Sequence, residues 1–215
     1  MSSASEFGKD FGLVSEAVVT GRKAGWGHDV WKKLAHDENL MRTLLPAIQG
    51  RAEVTIKSRL TNSTVTTLPA LKKPKRLKDC GVCSWGNATK PFASVDKLPA
   101  IKKHAVEYRD LIEPLDDFNL IEELGGEDAA VFSSVAEVET TISQFIAEQP
   151  NGASGHMLSD GKANLFYVHD PENHERVLYV SVCWDSDGSQ WSVDCDPADT
   201  KQWRAERRVF KATVA

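Results

Sequence analysis

Between Val177 and Cys195 the chain reads V-L-Y-V-S-V-C-W-D-S-D-G-S-Q-W-S-V-D-C, two alternating runs on either side of Asp187-Gly188. A period of two puts successive side chains on opposite faces of a strand, and Asp-Gly suits the two positive-φ positions of a type I′ hairpin turn. Counting outward from that turn, Trp184 is predicted to face Trp191, Val182 to face Val193 and Val180 to face Cys195. With Leu178 these residues form one apolar face, while Tyr179, Ser181, Cys183, Asp185, Gln190, Ser192 and Asp194 fall on the other. A hairpin apolar on one side needs a covering element.

The chain supplies that cover upstream. Ser134 and Glu137 have the spacing of a capping box, and Val135, Val138, Ile142, Phe145 and Ile146 then share one helical face before Pro150-Asn151-Gly152. Further strands are expected at Asn164–His169 and around Trp203–Lys211. The predicted fold class is therefore α+β, with a helical N-terminal part and a C-terminal antiparallel sheet of three to four strands covered by a helix. Earlier in the chain, Phe7, Phe11, Val14 and Val18 have helical spacing. Asp29 and Asp37 suit the N-caps of two more helices, and Pro46 suits the end of the last. Ala52, Val54 and Ile56 alternate as in a strand, with Thr61-Asn62-Ser63 turning into a second through Val65–Leu68. Helical spacing returns at Ile101, Ala105, Tyr108 and Ile112, and again at Phe118, Ile121 and Leu124. The expected divisions are 1–50, helical; 51–104, basic and partly irregular, opening on a hairpin; and 105–215, an acidic α+β domain.

Charge sharpens that division. Residues 51–104 hold 12 Lys or Arg against 3 Asp or Glu, whereas residues 105–215 hold 8 against 22. A basic tract of this kind either docks on the chain's own acidic half or meets an acidic partner. The apolar runs are far shorter than the roughly 20 residues that cross a bilayer, so no membrane association is expected. With no apolar signal core at M-S-S-A-S-E-F-G-K-D and only four cysteines, the expected setting is a reducing cytoplasm.

The segments G-K-A-N-L-F-Y-V (161–168), Y-V-S-V-C-W-D-S-D-G-S-Q-W-S-V (179–193) and W-R-A-E-R-R-V-F (203–210) resemble the C-terminal segment of uncharacterised proteins of candidate-phylum (patescibacterial) bacteria. G-R-K-A-G (21–25) and W-K-K-L-A-H-D-E-N-L (31–40) look like a helical motif of the same set. The resemblance spans about a third of the chain and leaves the basic middle unmatched. It implies a recurrent module in a cytosolic bacterial protein, of no known activity, and carries over no catalytic residue.

Chemistry-bearing motifs are few. Cys80-Gly81-Val82-Cys83 has the spacing that grips a zinc ion or supports thiol redox chemistry, but no second ligand pair accompanies it. No cofactor is therefore expected, with zinc on Cys80 and Cys83 kept as an alternative. Asp185-Ser186-Asp187-Gly188 starts like a calcium loop without its remaining ligands. His156, His169 and His174 could serve a small hydrolase-type site only by converging, since no nucleophile motif stands beside them. The basic tract remains: Lys72, Lys73, Lys75, Arg76, Lys78 and Lys90, with Trp85 among them to stack on a base. The function expected first is a non-catalytic binding or interaction protein of unknown macromolecular partner. A nucleic-acid-associated protein using the 69–104 tract is the alternative, with the histidine enzyme behind both. The hairpin is read as scaffold.

Overall fold

The chain divides into two units, Met1–Lys57 and Ser58–Ala215, and the elements described in the first are helices. The computed structural model describes residues 16–23, 25–49, 51, 57–84, 89–93, 95, 97–199 and 201–212. The expected helical face at Phe7, Phe11 and Val14, and the expected strand at Ala52–Ile56, lie outside these residues. In the first unit α1 covers residues 16–23, α2 His28–His36 and α3 Glu38–Ile48. Gly21 lets Trp31 pack against α1, since a Cβ there would sit 2.3 Å from Trp31 Cζ2. Asp37 caps α3 as expected, its Oδ1 accepting the Leu40 amide at 2.9 Å. Asp29 lies inside α2, whose N-cap is Gly27, and α3 continues through Pro46.

The second unit corrects the expected three- to four-stranded sheet. Its strands are β1 (Thr64–Leu68), β2 (Cys83–Ser84), β3 (His104–Asp110), β4 (Leu115–Asp116), β5 (Val131–Phe132), β6 (Asn164–His169), β7 (Val177–Asp185), β8 (Gln190–Pro197), β9 (Gln202–Trp203) and β10 (Arg208–Ala212). The main sheet is eight-stranded and mixed, in the order β1-β3-β10-β6-β7-β8-β2, with β5 continuing the β10 edge of β6. Strand β10 inserts between β3 and β6, antiparallel to the first and parallel to the second. Parallel partners lie far apart in sequence, so counting local alternations undercounts such a sheet. Strand β3 was the stretch with helical spacing. Its sequence H-A-V-E-Y-R-D also satisfies a period of two, with Val106 and Tyr108 on one face, and pairing to β1 and β10 on both edges decides for the strand.

The β7–β8 hairpin has the predicted register, including Trp184 opposite Trp191 and Val180 opposite Cys195. Its turn is different. Ser189, not Asp187 or Gly188, carries the positive φ (50°), and Asp185 Oδ1 accepts the Asp187 amide at 3.1 Å. Gly188 sits under two side-chain ends: a Cβ would approach Asp185 Oδ2 to 2.6 Å and Gln190 Nε2 to 2.8 Å, so both flexible tips would have to move aside.

Both faces of the sheet are covered. On one, Phe166, Val180, Val182, Val193 and Phe210 pack against helix α7 (Val135–Glu148). Ser134 caps α7 by accepting the Glu137 amide at 3.2 Å, but Glu137 returns its carboxylate to Ser133 rather than to Ser134. On the other face, α5 (Asp117–Glu123), α6 (Glu127–Ala130) and the β4–β9 pair cover Leu165, Tyr167, Tyr179 and Val209. Tyr179, predicted to lie on the exposed side of the hairpin, is thus buried edge-on against Trp203 at 5.1 Å.

Candidate functional site

Helix α7 is buried almost all round, including Glu139, Thr140, Thr141, Ser143 and Gln144 on the side away from the sheet. An amphipathic surface helix would leave that side in water. Here it is covered by the basic tract, which runs from the end of β1 to the start of β3 and adds the short β2 to the far edge of the sheet on the way. Leu71 and Ile101 exchange two backbone hydrogen bonds of 2.9 Å and close this excursion at its base. Between them the 3₁₀ turn Leu77–Cys80 and helix α4 (Thr89–Ala93) lie across α7, with Leu77 and Phe92 entering the core. The excursion is a strap.

Arg76 is the clasp. Its Nε donates to Glu139 Oε1 at 2.6 Å, Nη2 to the Phe92 carbonyl at 2.6 Å and Nη1 to the Val95 carbonyl. The same Glu139 oxygen accepts the Leu77 amide at 3.0 Å. Glu139 is 1% exposed and the Arg76 side chain 16%, so the guanidinium meets one oxygen of a desolvated carboxylate and two strap carbonyls together, while Glu139 Oε2 is buried without a partner. Gln144 adds a second tie, donating from Nε2 to the Pro69 carbonyl at 2.9 Å. Arg76 therefore does not face a partner. It differs from its lysine neighbours because Leu77, the next residue, turns the chain inward to the core.

The lysines point the other way. Lys72, Lys73, Lys75, Lys78 and Lys90 are exposed, as are Lys97, Lys102 and Lys103. None of their ammonium groups forms an ion pair or hydrogen bond among the described residues. Trp85 lies outside the described residues. The strap thus neutralises its one arginine internally and presents lysines that have no partner among the described residues.

The other candidates separate. Cys80 and Cys83 are both half-buried free thiols. Burial pushes the Cys80 thiol up, more than Lys75 pulls it down, which disfavours the thiolate needed for metal binding or redox attack. No group of three or more metal-ligating side chains occurs among the described residues. His156 packs between Tyr108 and Phe145, its Nε2 3.1 Å from Thr66 Oγ1 and its carbonyl accepting from Arg208. That places it at the Asn164 end of β6, because Arg208 pairs with Asn164. His169 ends the same strand, roughly 17 Å away at strand rise, and exposed His174 lies on the loop beyond. The three imidazoles do not share a pocket.

One constellation went unread in the sequence. Asp117, fully buried at the start of α5, accepts from the Tyr167 hydroxyl at 2.8 Å and from Trp203 Nε1 at 2.6 Å, both on Oδ1. Its Oδ2 is buried without a partner. Burial pushes the Asp117 carboxyl up, more than the Trp203 and Tyr167 hydrogen bonds pull it down. Lys201 roofs this cluster, 4.2 Å from the Tyr179 ring and 4.5 Å from the Trp203 ring. Asp116-Asp117 ahead of an apolar run signals a helix start, and Asp116 is the cap, but which aspartate turns inward is set by tertiary packing. The network pins α5 and β9 to the sheet.

Among the described residues no helix is long and apolar enough to cross a membrane. Comparison with protein-family models, curated proteins and solved structures yields no match to this chain.

Proposed function

We propose that this is a non-catalytic binding protein that docks a polyanionic macromolecule on the lysine-bearing outer surface of the strap. The carrying observation is the division of labour within the tract: Arg76 is turned in and neutralised by Glu139, while the lysines around it are exposed and unpaired among the described residues. Lysine ammonium groups neutralise phosphates or carboxylates without demanding one geometry, and association releases counterions. Clasping the strap to α7 holds these charges in place before binding, so less ordering entropy is lost on association. The acidic remainder of the chain repels a polyanion elsewhere and confines it to this face. The four free cysteines support a reducing, cytoplasmic setting for this activity.

The test is a fluorescence-anisotropy titration of labelled single-stranded DNA and labelled poly-glutamate at low salt. It compares the wild type with a variant carrying Lys72→Glu, Lys73→Glu, Lys75→Glu and Lys78→Glu. Binding of at least one polyanion by the wild type and its loss in the variant is the expected result. Equal binding by both proteins, or none by the wild type, overturns the proposal.

A further inference from the structure

Lys75 stands between two hollows. One, of about 330 Å³, has Pro69, Leu71 and Lys73 on the strap side and Gln144 and Glu148 on the α7 side. The other, of about 420 Å³, runs from Asp79 and Cys80 to Trp184 and Trp191 of the hairpin. Lys75 and Ala147 line both, so together the hollows form one groove between the strap and the last turn of α7.

Three features indicate what fits there. Trp184 is half-exposed and backed by Gly152, where a Cβ would lie 2.3 Å from the indole; Trp191 meets it edge-on at 5.3 Å. It is a fixed aromatic platform. Next, each hollow has a lining residue with an unsatisfied buried polar atom: the acceptor Gln144 Oε1 in the first and the donor Trp191 Nε1 in the second. Gln144 is 5% exposed and Trp191 3%, and buried polar atoms of this kind ordinarily have partners. Finally, the groove carries one carboxylate in each hollow, Glu148 and Asp79, with Lys73 lining the first and Lys75 both, while Lys72 and Lys78 are exposed on the strap beside them in sequence.

We infer that the polyanion is a single-stranded nucleic acid, with its phosphates along Lys72, Lys73, Lys75 and Lys78 and its bases in the groove against Trp184; this rests on the polyanion reading above. Bases are neutral, flat, and carry both donors and acceptors on their edges, so they tolerate Glu148 and Asp79 and can stack on an indole. An acidic polypeptide would bring carboxylates against those two residues and offers nothing flat to Trp184. A duplex keeps its base faces stacked and unavailable.

The test titrates oligothymidylate, duplex DNA of random sequence and poly-glutamate against the wild type, Trp184→Leu and Ala147→Phe. Ala147 is exposed on the last turn of α7, so the phenylalanine blocks the groove without entering the core. Oligothymidylate is expected to quench tryptophan fluorescence and to bind more tightly than duplex or poly-glutamate. Both variants should lose about 10- to 100-fold in its affinity with the salt dependence unchanged. If Ala147→Phe binds oligothymidylate as the wild type does, or if duplex or poly-glutamate binds as tightly, the groove assignment fails. The polyanion reading survives that outcome so long as lysine substitutions still weaken binding. No binding to any of the three overturns both.

Discussion

Replacing Arg76 by Ala removes the clasp that holds the strap on α7. The lost guanidinium leaves Glu139, 1% exposed, as an uncompensated charge and takes the donors from the Phe92 and Val95 carbonyls. Breaking one side of a buried ion pair costs about 3–5 kcal/mol, against about 0–1 kcal/mol for an exposed pair. Arg76→Ala is expected in the upper class because its partner cannot rehydrate without lifting the strap. Glu139→Ala should cost less, about 2–4 kcal/mol, since Arg76 keeps two carbonyl acceptors and partial access to water, while the Leu77 amide loses its acceptor. The double variant should cost less than the sum, with a coupling of about 2 kcal/mol. Urea unfolding followed by circular dichroism gives the three values. Trypsin reports the mechanism, because cleavage at Lys72–Lys103 requires local release of the strap. Released strap should be nicked in Arg76→Ala well before the sheet unfolds. A loss under about 1 kcal/mol, or no coupling between the two positions, would refute the clasp.

Asp117→Ala orphans the Tyr167 hydroxyl and the Trp203 indole N–H, and is expected to cost about 2–4 kcal/mol in the same urea assay. Asp117→Asn keeps an acceptor for both donors and should cost less at neutral pH. Because burial raises the Asp117 pKa, its contribution is complete below the unfolded-state value and is lost as pH rises through the raised one. The stability gap between wild type and Asp117→Asn is therefore expected to be widest below about pH 4 and to narrow toward neutrality; a gap that widens instead contradicts this. At the hairpin, Gly188→Ala should cost less than about 1 kcal/mol, because only the ends of Asp185 and Gln190 must move. Ser189→Gly should be neutral to stabilising by about 0.5–1 kcal/mol by relieving its positive φ. A thermal-melt loss equivalent to more than about 2 kcal/mol for Gly188→Ala would instead put the left-handed residue at Gly188.

What the sequence made legible follows from how local each feature is. The register of β7 and β8, the Ser134 cap and the apolar face of α7 are set by residues a few positions apart, and the structure has all three. The turn between the strands kept that register with different chemistry, since a two-residue turn at Asp187-Gly188 and the observed loop with Ser189 left-handed pair the same residues. The sheet was under-read because β10 reaches β6 by a parallel pairing and β3 by a return across the whole domain, neither of which leaves a local signature. The second face of the sheet was missed for the same reason: Tyr179 alternates like an exposed residue and is buried only because Trp203 comes over it. In the basic tract the sequence alone does not separate Arg76 from the lysines around it; the lysines are exposed, while Arg76 turns in to Glu139. The signal that could have separated it is on α7, where Glu139 follows core Val138 in a helix with few charges.

If the strap lysines, unpaired among the described residues, bind a polyanion, the salt dependence of binding counts the phosphates they neutralise. The measurement is log K against log salt for oligothymidylate, with the wild type and with Lys72, Lys73, Lys75 and Lys78 all replaced by Ala. Each phosphate contact contributes about 0.7 to the negative slope on a single strand, so the variant is expected to bind more weakly with a slope shallower by about 3. An unchanged slope would place the binding elsewhere on the protein and rule out the strap lysines as its site.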